Sequence, residues 1–211
     1  MIDTVLFDFD GTLANTNQVI INSFKHISNV FRKEECSDEY VVNTFGEPLG
    51  LTLERDYGEF NFEDVMACYR EYQESRFLDE VFLYETVEET LEFLKNKNIK
   101  LGIVTSRMRS STLSALEKFN IKKYFDVFVC ADDVEKHKPD KEPLIKAINE
   151  LKSTTENTLY VGDSKFDIEC ALNAGVTPVL AGWQHGSKEL IEKYNVKYVL
   201  EKMYDITNLL K

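Results

Sequence analysis

Two carboxylates, Asp8 and Asp10, stand one residue apart at the end of the apolar run Val5-Leu6-Phe7 and are followed at once by Gly11 and Thr12. A short β-prone run that stops at acids, a glycine and a hydroxyl reads as a buried strand delivering carboxylates to a turn. Residues at i and i+2 of an extended chain share a face, and the Gly-Thr turn bends both acids toward one cleft. Left alone, the two would repel and one would take up a proton, whereas a divalent cation keeps both ionised. The stretch therefore asks for a metal. An Asp-Gly pair by itself is a common turn signal, so the weight falls on the whole stretch and its companions.

Three later stretches offer matching chemistry. Thr105-Ser106-Arg107 closes Leu101-Gly102-Ile103-Val104. A hydroxyl and backbone N–H groups at a helix start can hold phosphate oxygens, although the same residues also serve as an N-cap. The loop from Glu135 to Glu142 carries Lys136, Lys138 and Lys141, and residue type does not choose among them. Leu159-Tyr160-Val161-Gly162-Asp163-Ser164-Lys165-Phe166-Asp167 repeats the opening pattern of apolar strand, glycine and acids. Asp163 and Asp167 are four apart and share a helical face if the helix begins promptly; the alternative for Asp163 is a plain N-cap.

Alternating elements must carry these groups. Helical spacing predicts helices over residues 86–97, 110–119, 141–152 and 164–174, with buried-type strands over 99–105, 127–130, 158–161 and 176–180. Such alternation makes βαβ units, and ligands of the resulting sheet sit outside the carboxyl ends of its strands. Between residues 15 and 80 no strand is evident. Helices are predicted over 16–32, 38–45 and 62–78, with Gly46-Glu47-Pro48-Leu49-Gly50 as a breaker, so this block reads as a separate helical module. Trp183-Gln184-His185-Gly186 reads as a connecting loop with an aromatic anchor, and the tail adds a strand near Tyr198 and a short helix.

Composition narrows the classes. A chain of 211 residues can bury a core, and a net charge of −12 argues against sequence-independent nucleic-acid binding. Cys36, Cys68, Cys130 and Cys170 are too scattered for a zinc site or a disulfide scaffold. Asp3, Asp8 and Asp10 replace the basic start of a secretory signal, and no run has the apolar length of a membrane span, so a cytoplasmic protein is expected. Oligomeric state is not legible, and a monomer is the simplest expectation.

Asp8-Phe9-Asp10-Gly11-Thr12, the strand-end Thr105, Lys138 immediately before Pro139, and Gly162-Asp163-Ser164 followed by Asp167 occur in the order of four motifs of the haloacid dehalogenase superfamily. The sequence resembles the phosphotransferases of that family from residue 1 to about 183. The resemblance implies an α/β fold: a parallel, doubly wound, Rossmann-like core of residues 1–14 and 82–211, with an all-helical cap of residues 15–81 that closes over the active site. It implies Asp8 as a nucleophile forming an aspartyl-phosphate and Asp10 as general acid and base. Gly11, Thr12, Thr105, Ser106 and Lys138 would bind phosphate, with Lys138 neutralising charge. Mg²⁺ would be held by Asp8, by Asp10 through its carbonyl and by Asp163, with Asp167 a ligand through water or an orienter of Lys138. Arg107, from its position, could reach a more distal anion.

In this family a dehalogenase lacks the second acid and a transport ATPase carries threonine there, so Asp10 favours phosphatase or mutase. Gly46-Glu47-Pro48-Leu49, Tyr84-Glu85-Thr86-Val87 and Asp132-Asp133-Val134-Glu135 look most like the branch of phosphoglycolate phosphatases and PpaX-type pyrophosphatases, and Asn15-Thr16-Asn17 leans toward the latter. The implied function is Mg²⁺-dependent hydrolysis of a small phosphorylated substrate, foremost inorganic pyrophosphate. The alternatives are a phosphoglycolate or sugar-phosphate phosphatase, a phosphosugar mutase, or a non-catalytic binding module on the same fold.

Overall fold

The computed structural model describes residues 1–45, 47–184 and 186–210. The chain forms two compact units, Met1–Ala14 with Leu83–Lys211, and Asn15–Phe82. Strand β1 (Thr4–Phe7) opens the first unit. The two-residue strands β2 (Ala14–Asn15) and β3 (Phe82–Leu83) mark where the chain leaves and re-enters it.

The Asn15–Phe82 unit contains helices α1 (Asn17–Ile27), α2 (Asp38–Val42), α3 (Leu49–Tyr57) and α4 (Phe62–Glu80). Its core gathers Ile21, Phe24 and Ile27 of α1, Val41, Leu53 and Tyr57, and Val65, Met66 and Tyr69 of α4. Ser37 and Asn61 cap α2 and α4 by accepting the Tyr40 and Asp64 backbone N–H groups, each at 3.2 Å. Helix α3 is not predicted by the sequence pattern, which takes Glu47-Pro48-Leu49-Gly50 as a breaker; Gly46 lies outside the described residues. Pro48 instead occupies the N-cap, and Thr52, Leu53 and Tyr57 are buried. A glycine inside a helix costs about 1 kcal/mol. Burying Leu53 and Tyr57 offsets that.

The larger unit continues through α5 (Val87–Asn96), β4 (Lys100–Val104), α6 (Arg109–Lys118), β5 (Val127–Val129), α7 (Glu142–Glu150), β6 (Thr158–Gly162), α8 (Lys165–Ala174), β7 (Thr177–Ala181), α9 (Ser187–Tyr194) and β8 (Tyr198–Leu200). The six longer strands form one parallel sheet in the order β5-β4-β1-β6-β7-β8. This is the doubly wound α/β architecture that the alternation predicts. Side-chain alternation turns Leu6, Val104 and Tyr160 to one face, where Leu144, Ala147 and Ile148 of α7 and Cys170 and Ala171 of α8 cover them. Helix α9 is a second addition to the predicted elements. Its Leu190, Ile191 and Tyr194 pack on Ile168, Leu180 and Val196, a contact made by register rather than by a strong local signal.

Register decides what the sheet presents. Phe7 lies opposite Ile103 on one side and Val161 on the other. The residues just past these strands, Asp8, Thr105 and Asp163, therefore emerge at one edge of the sheet. Among the described residues no helix is long and apolar enough to cross a membrane.

Candidate active site

Asp8 is buried at the end of the central strand, its backbone N–H donating to the Val161 carbonyl at 2.9 Å. Burial raises its carboxyl to about 7, against the opposing pull of the Lys138 ammonium 3.1 Å from Oδ1. That oxygen has no hydrogen bond of good geometry among the described residues. A buried carboxylate oxygen that an ammonium neutralises but no hydrogen bond satisfies is suited to accept a ligand.

The turn beyond is tightly fixed. Gly11 has φ +74, in the left-handed region that glycine tolerates, and a side chain there would meet the Asp163 carboxylate at 2.3 Å. Thr12 Oγ1 donates to Asp163 Oδ1 at 3.3 Å. Asp10 is more exposed than Asp8, and its Oδ1 accepts from Arg107 Nη1 at 3.2 Å. Arg107 thus lies beside the second acid with only 7% of its side chain exposed. Thr105 is buried, its Oγ1 accepting the Arg107 backbone N–H at 3.3 Å, whereas Ser106 is exposed.

Burial singles out one lysine. Lys136 and Lys141 are exposed, while Lys138 is 6% exposed and directs its ammonium to Asp167 Oδ1 at 2.6 Å, Asp8 Oδ1 at 3.1 Å and the Tyr160 hydroxyl at 3.2 Å. The contacts to Asp167 and Tyr160 are hydrogen bonds, and the approach to Asp8 is an ion pair. Burial disfavours its charge, but Asp167 and Asp8 outweigh that and hold it firmly protonated.

The two later acids differ in their surroundings. Asp167 is buried, with Oδ1 engaged by Lys138 and by the Tyr160 hydroxyl at 2.9 Å, and Oδ2 accepting from the Ser164 backbone N–H at 3.0 Å and its hydroxyl at 2.6 Å. Burial pushes it up, yet Lys138 and Ser164 prevail and hold it below the usual carboxylate range. Desolvation, then Asp167 and Asp8, raise Asp163 well above that range. Gly162 permits this packing, since a Cβ there would lie 2.3 Å from Asp167 Cβ.

One carboxylate oxygen each from Asp8, Asp163 and Asp167 lie within 4.8 Å of one another. Three carboxylates against one ammonium leave an excess of negative charge that a hard divalent cation would neutralise, and the all-oxygen donor set suits Mg²⁺. Asp8 and Asp163, each raised first by burial and then by neighbouring carboxylates, have most to gain. Asp167 already spends both oxygens on Lys138, Tyr160 and Ser164.

The structure also brings in residues that the motifs leave out. Tyr160 reads in sequence as a core residue of a strand, yet its hydroxyl sits between Lys138, Asp167 and the Val104 carbonyl at 2.8 Å. Trp183 Nε1 and Gln184 Nε2 donate to the Gly11 carbonyl at 3.0 and 3.2 Å, and Gln184 also reaches the Tyr84 hydroxyl at 2.7 Å. Only the aromatic in that loop carries a sequence signal. His185, read with it, lies outside the described residues.

A family profile described as haloacid dehalogenase-like hydrolase matches residues 5–181. A protein of Caldanaerobacter subterraneus subsp. tengcongensis, provisionally named pyrophosphatase PpaX, is 40% identical over 210 residues, covering 100% of this chain and 95% of that protein. The pyrophosphatase PpaX of Bacillus mycoides is 39% identical over 209 residues, covering 99% and 97%. A crystal structure from Lactobacillus plantarum, provisionally named a phosphoglycolate phosphatase, superposes with a TM-score of 0.90 at 26% identity over all of both chains.

Proposed function

The chain belongs to the haloacid dehalogenase-like hydrolase family and is a phosphohydrolase, and from that premise we propose that it cleaves inorganic pyrophosphate with Mg²⁺ through an aspartyl-phosphate on Asp8. One observation carries the chemical part: an underused, buried Asp8 oxygen beside Lys138, with Asp163 close by. For the substrate, the support is the Arg107 guanidinium next to Asp10, where a second phosphate would need a cation, together with relatives named pyrophosphatase at near 40% identity.

The residues divide the reaction as follows. An Asp8 carboxylate oxygen attacks phosphorus in line, forming a P–O bond as the bond to the leaving oxygen breaks. Asp10 gives that oxygen its proton. Water then attacks the phosphorus of the aspartyl-phosphate while Asp10, now ionised, takes the water's proton, and the bond to Asp8 breaks to release phosphate. Lys138, the Thr105 hydroxyl and backbone N–H groups of the turn and of Ser106 hold the phosphoryl oxygens, and Asp167 holds Lys138 in place through the 2.6 Å contact. Asp8, Asp163 and the Asp10 carbonyl would hold Mg²⁺, which would supply charge neutralisation on the transferring group.

Phosphoglycolate is the second reading, favoured by the Lactobacillus plantarum neighbour. Initial rates with the two substrates at equal enzyme and Mg²⁺ separate them, and kcat/KM for pyrophosphate is expected to be higher by at least about tenfold. A higher value for phosphoglycolate replaces the first reading with the second. A requirement for a bisphosphorylated activator, with little phosphate released, would identify a mutase.

Metal and proton compete at this site, and the direction is set by Asp8. Its folded-state pKa of about 7 lies above the ordinary 3.8, so its contribution to stability is full below the lower value and is lost as pH rises through the higher one. Bound Mg²⁺ would displace that proton. Thermal unfolding with and without Mg²⁺ should therefore show a Tm rise that is several degrees larger near about pH 8 than near about pH 5.5. A Mg²⁺ effect independent of pH would mean that Asp8 is not a ligand.

A further inference from the structure

The carbonyl of Gly11 is held by two side chains from a distant loop. Gly11 sits between Asp10 and Thr12, and its N–H donates to the Ala14 carbonyl at 2.9 Å. Its carbonyl accepts from Trp183 Nε1 at 3.0 Å and from Gln184 Nε2 at 3.2 Å, which fills both lone pairs. The second Gln184 Nε2 proton goes to the Tyr84 hydroxyl at 2.7 Å. Tyr84 in turn packs its ring on Trp183 with centroids 5.4 Å apart and donates its backbone N–H to Leu13 at 3.0 Å.

Satisfying a turn carbonyl takes one donor, and a single hydrogen bond contributes only about 0.5–1.5 kcal/mol. Two donors, one of them on a glutamine that is 9% exposed, fix the plane of the peptide and not merely its polarity. They come from the loop after β7, which is separated from β1 in the sheet by β6. The peptide they fix joins the left-handed Gly11 to Thr12, so its rotation would draw Thr12 off Asp163 and loosen the turn that begins at Asp10.

We propose that Trp183 and Gln184 are positioning residues for proton transfer by Asp10: their paired N–H groups on the Gly11 carbonyl hold the turn at which Asp10 can reach the leaving oxygen. This rests on Asp10 being the general acid. Trp183→Phe keeps a ring on Tyr84 and removes the N–H, and Gln184→Met keeps volume and removes the amide.

The test is the leaving-group dependence of kcat/KM, which reports phosphoryl transfer to Asp8, over a series of phosphomonoesters from nitrophenyl to alkyl at saturating Mg²⁺. A nitrophenolate departs without a proton and an alkoxide does not. Both variants should hydrolyse the nitrophenyl ester within about twofold of the parent and the alkyl ester at least about tenfold more slowly, the scale expected when an acid is slightly misplaced. Asp10→Asn should show the same dependence, more steeply. If it does and the two variants lose activity uniformly or not at all, the positioning role is overturned while the acid stands. A uniform loss in Asp10→Asn overturns the acid and the inference with it. Should Gln184→Met fail to fold, Trp183→Phe decides by itself.

Discussion

Asp8→Asn is expected to fold normally and to lose turnover by at least about 10⁴, the scale seen when an enzyme's nucleophile is removed. An amide oxygen is a poor phosphoryl acceptor, and among the described residues neither other carboxylate of the cluster is placed to replace it. Asp163 and Asp167 flank the position, but Asp167 is bound by Lys138, Tyr160 and Ser164, and Asp163 stands against the Gly11 turn. Stability should move the other way. Asp8 is a buried acid whose ionisation is resisted, so replacing it by neutral Asn removes a penalty that the parent protein carries near about pH 8 without metal. The metal-free variant should melt at or above the parent temperature, with a weakened response to Mg²⁺. Two measurements check this: steady-state phosphate release, and acid-quenched labelled phosphoenzyme, present in the parent and absent in the variant. Retention of more than about a hundredth of parental activity would sink covalent catalysis at Asp8.

Lys138→Ala should damage both stability and chemistry. Its ammonium is the positive partner that Asp8 and Asp167 share, and deleting one member of a buried charge set costs about 3–5 kcal/mol because the others are left uncompensated. The pH dependence identifies the cause. Asp167 titrates below its ordinary value in the folded protein, so it adds stability above the unfolded pKa of 3.8, and that contribution is lost as pH falls through the still lower folded value. Without Lys138 that contribution vanishes and burial opposes ionisation. The variant's Tm deficit should thus be largest at neutral and alkaline pH and shrink toward about pH 4, where both carboxyls take up protons. Turnover should drop by about 10³ or more, with charge on the transferring phosphoryl group unbalanced. Lys136→Ala, at an exposed position two residues away, should leave Tm and kcat almost unchanged. Equal effects at the two positions would show that Lys138 has no special place in the chemistry.

The inferred role of Trp183 and Gln184 extends the same logic to the opposite side of Asp8. Lys138 and its partners fix charge beside Asp8, and the clamp on Gly11 fixes the turn that follows Asp10. Asp10 itself is met from outside the turn by Arg107 at 3.2 Å. The ends of β4 and β6 and two loops thereby converge on a stretch of five residues.

Amino-acid order by itself determined the strand ends. Asp8, Thr105 and Asp163 each follow an apolar run at once, and such runs announce buried strands through local periodicity and composition alone. Alternation of strands and helices then required a parallel sheet, with those ends on one edge. Other features needed the tertiary structure. Lys138 could be picked from its neighbours by family resemblance, but only burial against Asp8 and Asp167 separates it physically from Lys136 and Lys141. Tyr160 is indistinguishable from core until register places its hydroxyl between Lys138 and Asp167. Helix α3 forms across Gly50 because burial outweighs propensity, a balance no local signal records. Trp183 and Gln184 meet Gly11 across 172 and 173 residues of chain. Local patterns fix where strands stop, because turn and strand preferences act over a few residues. Which side chains meet beyond those ends depends on sheet order and packing, which join positions that the sequence keeps far apart.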